Sequence, residues 1–406
     1  MKKSSAFIWN MIGSACYSIS SILYLLVVTR VCGAEEGGFF SLSYATAQLL
    51  LTVGRYGMRT YQATDLQAQY SFREYVVSRG VTVGVMMLLG VLYSAVSFEG
   101  RYIAVSVLVI GMKAIDAVED VYHGRLQQTH HVEQMGKSQA VRNGYTTVCF
   151  TVLLAVSREL TLTLLLTVAS SLILCIAMNQ YMIRKYAPHQ TQEQRLSFGS
   201  AVALLKSCTG IFVGTFLSLL LYNIPKYAMA GVLSAEYQTY YSILFMPSFV
   251  VTLLCEFIFK PTITSIADYW FAGERRRFDR AVLGCLGFLA ICSVIVMLGG
   301  HFIGRRLLEL LYGVDLSAYK LHFLVLLLGG GIGSCVYLIY NILIAIRHGG
   351  AIKTVYGIVA VLSIAVVRLM ITYMGMMGAA LNYLLSCTML FVIFAVILLR
   401  VCRKQK

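Results

Sequence analysis

A chain of 406 residues that is 58% hydrophobic and only 13% charged is far more apolar than a soluble globular domain of this size, and it belongs in a bilayer. The formal net charge of +15 does not point to a nucleic-acid partner, because most of the basic residues flank apolar segments, where they set topology and meet anionic membrane lipid. Nearly all of the eleven cysteines fall inside apolar segments and no C-x-x-C pair occurs, which excludes a disulfide or zinc framework.

Segments of about 20 apolar residues cross a hydrocarbon core about 30 Å thick. Twelve are read here, at 7–29, 38–58, 80–97, 102–122, 139–157, 160–183, 199–222, 238–259, 281–300, 322–346, 352–373 and 378–400. Lys2 and Lys3 lead into a full-length first span without a small-residue cleavage site, so this helix is expected to stay in the mature protein. Asn10, Ser14, Ser18 and Ser21 recur along it at helical spacing as a narrow polar stripe, and Ser43, Thr46 and Gln48 add polar groups to the second span. Such residues suit a sugar-lined path and close helix packing equally. Trp9 and Trp270 sit near span ends and read as interfacial anchors.

The fourth span carries KAIDAVED at 113–120. Lys113, Asp116 and Asp120 share one helix face, with Glu119 at its margin. An ionisable group at mid-bilayer costs about 2.5–3.5 kcal/mol, so it needs a partner or a water-filled cavity. Lys113 lies near mid-span, whereas Asp116, Glu119 and Asp120 approach the cytoplasmic end, where a solvated helix terminus is the plain alternative. The run HVEQMGKS at 131–138 ends like a phosphate-binding loop, but His131 stands where the first glycine is required. No ATPase is read there, no cofactor is expected, and His130 and His131 lack partners at metal-ligand spacing.

Three more cations fall within spans: Arg55 near the cytoplasmic end of the second, Lys206 about two turns into the seventh, and Arg368 in the outer third of the eleventh. Snorkelling accounts for each as well as binding does. Taken together, Arg55, Lys113 and Lys206 would line a central cavity with positive charge suited to an anion such as phosphate or pyrophosphate.

With the N-terminus in the cytoplasm, 22 of the 33 basic residues fall inside, among them Arg59, Arg79, Arg142, Lys260 and Arg403. That asymmetry places both termini in the cytoplasm. AEEGGFFSLS at 34–43 is echoed by AEYQTYYSIL at 235–244, an offset of 201 that also pairs Arg59 with Lys260 and Arg79 with Arg280. Repeated helix-entry chemistry is one explanation. The other is duplication, because the offset lays the first span on the seventh and leaves six spans in each half. The expected fold is an all-α polytopic membrane protein of about 12 transmembrane helices, in two six-helix lobes at 1–190 and 191–406. A pseudo-two-fold axis along the membrane normal relates them, as in one class of secondary transporters.

The runs GMRTYQATDLQAQYSFREYVVSR at 57–79, AIDAVEDVYHGRLQQ at 114–128 and NIPKY at 223–227 resemble the polysaccharide-unit flippases of the multidrug/oligosaccharidyl-lipid/polysaccharide exporter superfamily. The likeness runs through the N-terminal half into the eighth span and thins to hydropathy alone beyond about residue 280. The resemblance implies two six-helix lobes around a central cavity. It also implies a bacterial plasma-membrane protein, not an enzyme, that moves an undecaprenyl-pyrophosphate-linked oligosaccharide from the cytoplasmic to the outer leaflet. A coupling ion or the membrane potential would drive it, and a polysaccharide polymerase would be a partner. Arg55, Arg59 and Lys113 are then candidates to hold the pyrophosphate, with Asp116, Glu119, Asp120, Lys206 and Arg368 as further candidate binding residues. Some relatives place arginine within the first span, whereas this one has no charge there before Arg30, and the two extra C-terminal helices of fourteen-span members are not expected here. A drug exporter of the same superfamily would favour an acidic, apolar cavity, so the sign of the midplane charge separates the two. A membrane-embedded glycosyltransferase or polymerase would need a substantial external loop, and external segments such as SFEGR and SREL are short.

Overall fold

The computed structural model describes residues 2–65, 69–187, 198–249 and 262–404, and no strand occurs among them. The chain forms two compact units, Met1–Phe216 and Leu217–Lys406. The first contains α1 (Lys2–Cys32), α2 (Ala34–Arg55), the short α3 (Met58–Thr64), α4 (Phe72–Ser97), α5 (Arg101–Gln128), α6 (Val132–Ser157) and α7 (Leu160–Tyr186). The division falls inside α8 (Phe198–Ala230). The second continues with α9 (Ala235–Phe245), α10 (262–271), α11 (Arg275–Gly299), α12 (Arg305–Tyr312), α13 (Lys320–Ala345), α14 (Ile352–Met374) and α15 (Met376–Lys404). The expected lobe boundary at 190/191 lies outside the described residues.

Among the described residues, eight helical stretches are long and apolar enough to cross a membrane by length and composition alone. α2, α5 and α6 are not among them, yet their 22, 28 and 26 residues, at about 1.5 Å per residue, are long enough for the hydrocarbon core. The eighth expected span, 238–259, is described only as far as Phe249.

α4 and α6 start well before hydropathy suggests. α4 begins at Phe72, where the Ser71 hydroxyl accepts from the Glu74 amide and the Glu74 carboxylate accepts from the Ser71 amide at 2.7 Å, a capping box that closes the first turn. α6 begins at Val132. Both first turns are polar, so a hydropathy reading cuts them off; Arg79 thereby moves from an expected cytoplasmic loop into a helix, and Arg142, counted with the cytoplasmic residues though at the edge of the expected span, comes to lie well inside α6.

α4 is built inside out. Its buried positions are Glu74, Tyr75, Ser78, Arg79, Thr82, Met86, Gly90 and Ser94, while Val77, Val81, Val85, Leu88, Leu92 and Val96 are exposed. Lipid tolerates the apolar face, and the polar one must turn inward to find partners. α1 and α6 cross where Gly136 leaves no room for a side chain, since a Cβ there would lie 2.4 Å from the Trp9 carbonyl carbon. Gly136 thus has a packing reason within the loop-like run HVEQMGKS. In the second unit α13 is the central helix, its glycines admitting Tyr383 of α15 at Gly329 and Ser293 of α11 at Gly331. Trp270 is not an interfacial anchor: it is 7% exposed and packs on Phe278 and His348.

The repeated motif starts a helix in both units, α2 at Ala34 and α9 at Ala235. Burial follows the same register: Gly37, Gly38, Phe40, Ser41, Leu42 and Ser43 are buried in α2, and Gln238, Thr239, Tyr241, Ser242, Ile243 and Leu244 in α9. Phe39 and Tyr240 are half-buried alike.

Candidate functional site

The charged residues of α5 organise the first unit. Lys113, Asp116, Glu119 and Asp120 are all buried, none more than 4% exposed, and α5 runs two turns past Asp120 to Gln128. The alternative of a solvated helix terminus therefore does not hold. Buried carboxylates require cations and hydrogen bonds, and four neighbouring helices, with Lys113 of α5 itself, supply the cations.

Asp120 meets α2, α3 and α4. Its Oδ2 accepts from Arg79 Nη2 at 2.8 Å, and its Oδ1 faces Arg55 Nε at 3.7 Å and Arg59 Nη1 at 3.6 Å. Arg55 and Arg59 converge because the chain reverses between them, at Tyr56 (φ 49°) and Gly57 (φ 68°). This left-handed pair ends α2 and redirects the backbone into α3. Ending a helix leaves its last carbonyls without intrahelical donors, and Arg79 Nη1 and Thr82 Oγ1 both donate to the carbonyl of Gly54.

Asp116 and Glu119 meet α6. Arg142 Nη2 donates to Asp116 Oδ1 at 2.6 Å and to Glu119 Oε2 at 2.8 Å, and Lys113 Nζ donates to Asp116 Oδ2 at 2.9 Å. The Lys113 ammonium also lies 4.7 Å from the Tyr17 ring centre and 4.8 Å from that of Tyr44, close enough for cation–π attraction. Lys113 is enclosed, not open. Beside it a cavity of ≈ 10 Å³ is lined by Tyr17, Ser20, Lys113, Asp116, Arg142 and Asn143 among others, room for about one water.

Five cations thus surround three carboxylates, an excess of two positive charges. Exposure is unequal. The side chains of Arg55 and Arg59 are 38% and 30% exposed, against 2%, 6% and 3% for Arg79, Lys113 and Arg142. These two partly exposed side chains are the ones an incoming ligand can reach.

Lys206 and Arg368 make none of the ion pairs of this cluster. Lys206 is exposed on α8, on the side opposite Leu204 and Cys208, which pack against Met58, Tyr70, Tyr75 and Val121. Arg368 is exposed on α14 of the second unit. In α1, Ser18 and Ser21 donate to backbone carbonyls of their own helix, while Ser20, outside the expected stripe, accepts from Thr147 at 2.6 Å. The sequence reading missed Arg79, Arg142 and Tyr17. A signal for the two arginines is present, because Ser78, Arg79 and Thr82 in α4, and Ser138, Arg142, Asn143 and Thr146 in α6, form polar stripes at helical spacing once the helix starts are moved back.

No protein-family model matches the sequence, and no curated protein does. Solved structures do. A multidrug resistance MATE family transporter of the MOP superfamily, in an inward-facing conformation, aligns with a TM-score of 0.71 at 11% identity over 98% of this chain and 98% of that one. A point mutant of the Vibrio cholerae MATE transporter VcmN aligns with a TM-score of 0.66 at 12% identity over 99% and 97%. The lipid II flippase MurJ, in an inward closed conformation, gives 0.68 at 13% identity over 95% and 87%. The chain has the fold of the MOP-superfamily transporters. At these identities the likeness is one of fold, and it covers nearly the whole chain.

Proposed function

We propose that the protein is a flippase that translocates an undecaprenyl-pyrophosphate-linked oligosaccharide from the cytoplasmic to the outer leaflet of a bacterial plasma membrane for surface polysaccharide assembly. The observation that carries this reading is the sign of the site: an excess of two positive charges, with Arg55 and Arg59 as its accessible members. Guanidinium pairs bind phosphate oxygens through short, charge-assisted contacts. The fold shared with the lipid II flippase MurJ and the sequence resemblance to polysaccharide-unit flippases support it. Both termini are taken as cytoplasmic, and an ion or the membrane potential as the driving force. Lys113, Asp116, Glu119 and Asp120 shape the site, and Lys206 and Arg368 are retained as further candidates for contact with the lipid-linked anion.

The fold shared with MATE transporters favours a second reading, export of an amphipathic small molecule. An organic cation would have to displace Arg142, Lys113 or Arg79 from carboxylates held at 2.6–2.9 Å, which makes this the weaker match to the charge. Arg55→Gln together with Arg59→Gln tests the choice. Loss of two charge-assisted contacts, each about 1.5–3 kcal/mol, should abolish surface polysaccharide and leave lipid-linked units accessible only from the cytoplasmic side, at an unchanged membrane level of the protein. Normal polysaccharide in the double variant, with deletion of the gene sensitising cells to cationic dyes instead, would reject the flippase.

A further inference from the structure

Arg55 Nε is shielded from solvent and makes no hydrogen bond, and the carboxylate oxygen it faces, Asp120 Oδ1, stands 3.7 Å away. Arg59 Nη1 faces the same oxygen at 3.6 Å, while its Nε and Nη2 donate to Gln127 Oε1 and Met135 Sδ. Both separations exceed hydrogen-bonding reach. One oxygen therefore balances two guanidinium groups and satisfies neither. Asp120 cannot close the gap, because its other oxygen is tied at 2.8 Å to Arg79, which is 2% exposed and itself anchored on the Gly54 carbonyl.

We propose that Asp120 is a positioning residue that acts as an internal stand-in for the ligand's anion. Tethered by Arg79, it keeps Arg55 and Arg59 converged and charge-balanced while the site is empty, and it is out-competed by the oxygens of a diphosphate, which are free to approach to about 2.7–2.9 Å. The inference rests on the reading of this site as an anion site. It explains why a carboxylate belongs at the centre of a cationic pair. Without Asp120, two unbalanced arginines would hold any available anion and release it slowly; with it, binding weakens to an exchange between an internal and an external anion.

The test is a titration of the full-length protein in lipid nanodiscs, at fixed ionic strength, with inorganic pyrophosphate and with undecaprenyl pyrophosphate. Asp120→Asn keeps the shape and an oxygen for Arg79 but removes the competing charge. Its affinity should rise about tenfold over the unsubstituted protein, because the fraction of sites poised to accept ligand rises. Arg55→Gln with Arg59→Gln should lose binding. Because Asp120→Asn strands the buried Arg79 charge at a cost to folding, Asp120→Asn with Arg79→Gln is measured beside it, with the same gain expected. A merely structural role for Asp120 predicts weaker binding in every variant, so the direction of the change decides. Equal or weaker binding in both Asp120 variants, with binding still lost in the arginine double variant, would overturn the stand-in proposal and leave the anion site standing. No binding of either ligand to any form, the unsubstituted protein included, would remove the anion site itself. A gain of the same size with both ligands supports the proposal and assigns recognition to the diphosphate group; a gain with undecaprenyl pyrophosphate alone supports it and assigns part of the recognition to the lipid.

Discussion

Arg142 holds two carboxylates, Asp116 at 2.6 Å and Glu119 at 2.8 Å, whereas Lys113 shares one of them. Removing one partner of a buried pair leaves an uncompensated charge and costs about 3–5 kcal/mol. Arg142→Met should therefore lower the thermal midpoint of the detergent-solubilised protein more than Lys113→Met, since Asp116 keeps Arg142 when Lys113 is lost. Adding Glu119→Gln to Arg142→Met should recover part of the loss, as coupled sites do in a double-mutant cycle; strictly additive losses would show that the pair does not interact. At the same scale, Gly136→Ala forces a Cβ within 2.4–2.6 Å of the Trp9 and Asn10 backbone and should destabilise by about 1–3 kcal/mol through overpacking. Gly144 lies on the same helix with nothing within 4 Å, so Gly144→Ala should be neutral in the same melting experiment.

α4 presents apolar residues outward and polar ones inward, and its start decides whether Arg79 enters the bundle. The capping box at Ser71 sets that start, and the Glu74 carboxylate that closes it also accepts from the Ser200 hydroxyl of α8. Ser71→Ala removes the cap and should cost about 0.5–2 kcal/mol, seen as a lower melting midpoint and faster amide exchange over residues 72–76. Unchanged exchange there would mean that packing alone fixes the helix start. The turn at Tyr56 and Gly57 does comparable work between α2 and α3, since it alone brings Arg55 and Arg59, four residues apart, to one oxygen of Asp120.

The whole molecule is two compact helical units that share a fold with MOP-superfamily transporters. The orientation expected from the basic residues has both termini in the cytoplasm, and burial of Arg79 and Arg142 takes two of them out of the cytoplasmic set. The remaining bias keeps its sign. Single cysteines at Glu99 and Glu159, in a cysteine-free background, should react with a membrane-impermeant thiol reagent added outside whole cells, and one at Lys185 should not. The opposite labelling pattern would reverse the orientation and the direction of transport.

The sequence by itself determined the membrane class, eleven of the twelve spans as described helices, and the placement of Lys113, Asp116, Glu119 and Asp120 along one helix. Each of these depends on composition or on spacing within a single segment, which hydropathy and helical period report directly. The repeat at an offset of 201 was legible for the same reason, and burial in α2 and α9 follows its register. Only the tertiary structure decided which cation meets which carboxylate. Arg79 reaches Asp120 across 41 residues and Arg142 reaches Asp116 across 26, and such pairings depend on how neighbouring helices are rotated about their own axes. It also decided which charges remain open. Lys113 was one of three candidate anion ligands with Arg55 and Arg59, yet Tyr17, Tyr44 and Asp116 enclose it, while the side chains of Arg55 and Arg59 at the α2–α3 turn stay partly exposed. Exposure belongs to the packed bundle, and no local pattern in the chain encodes it.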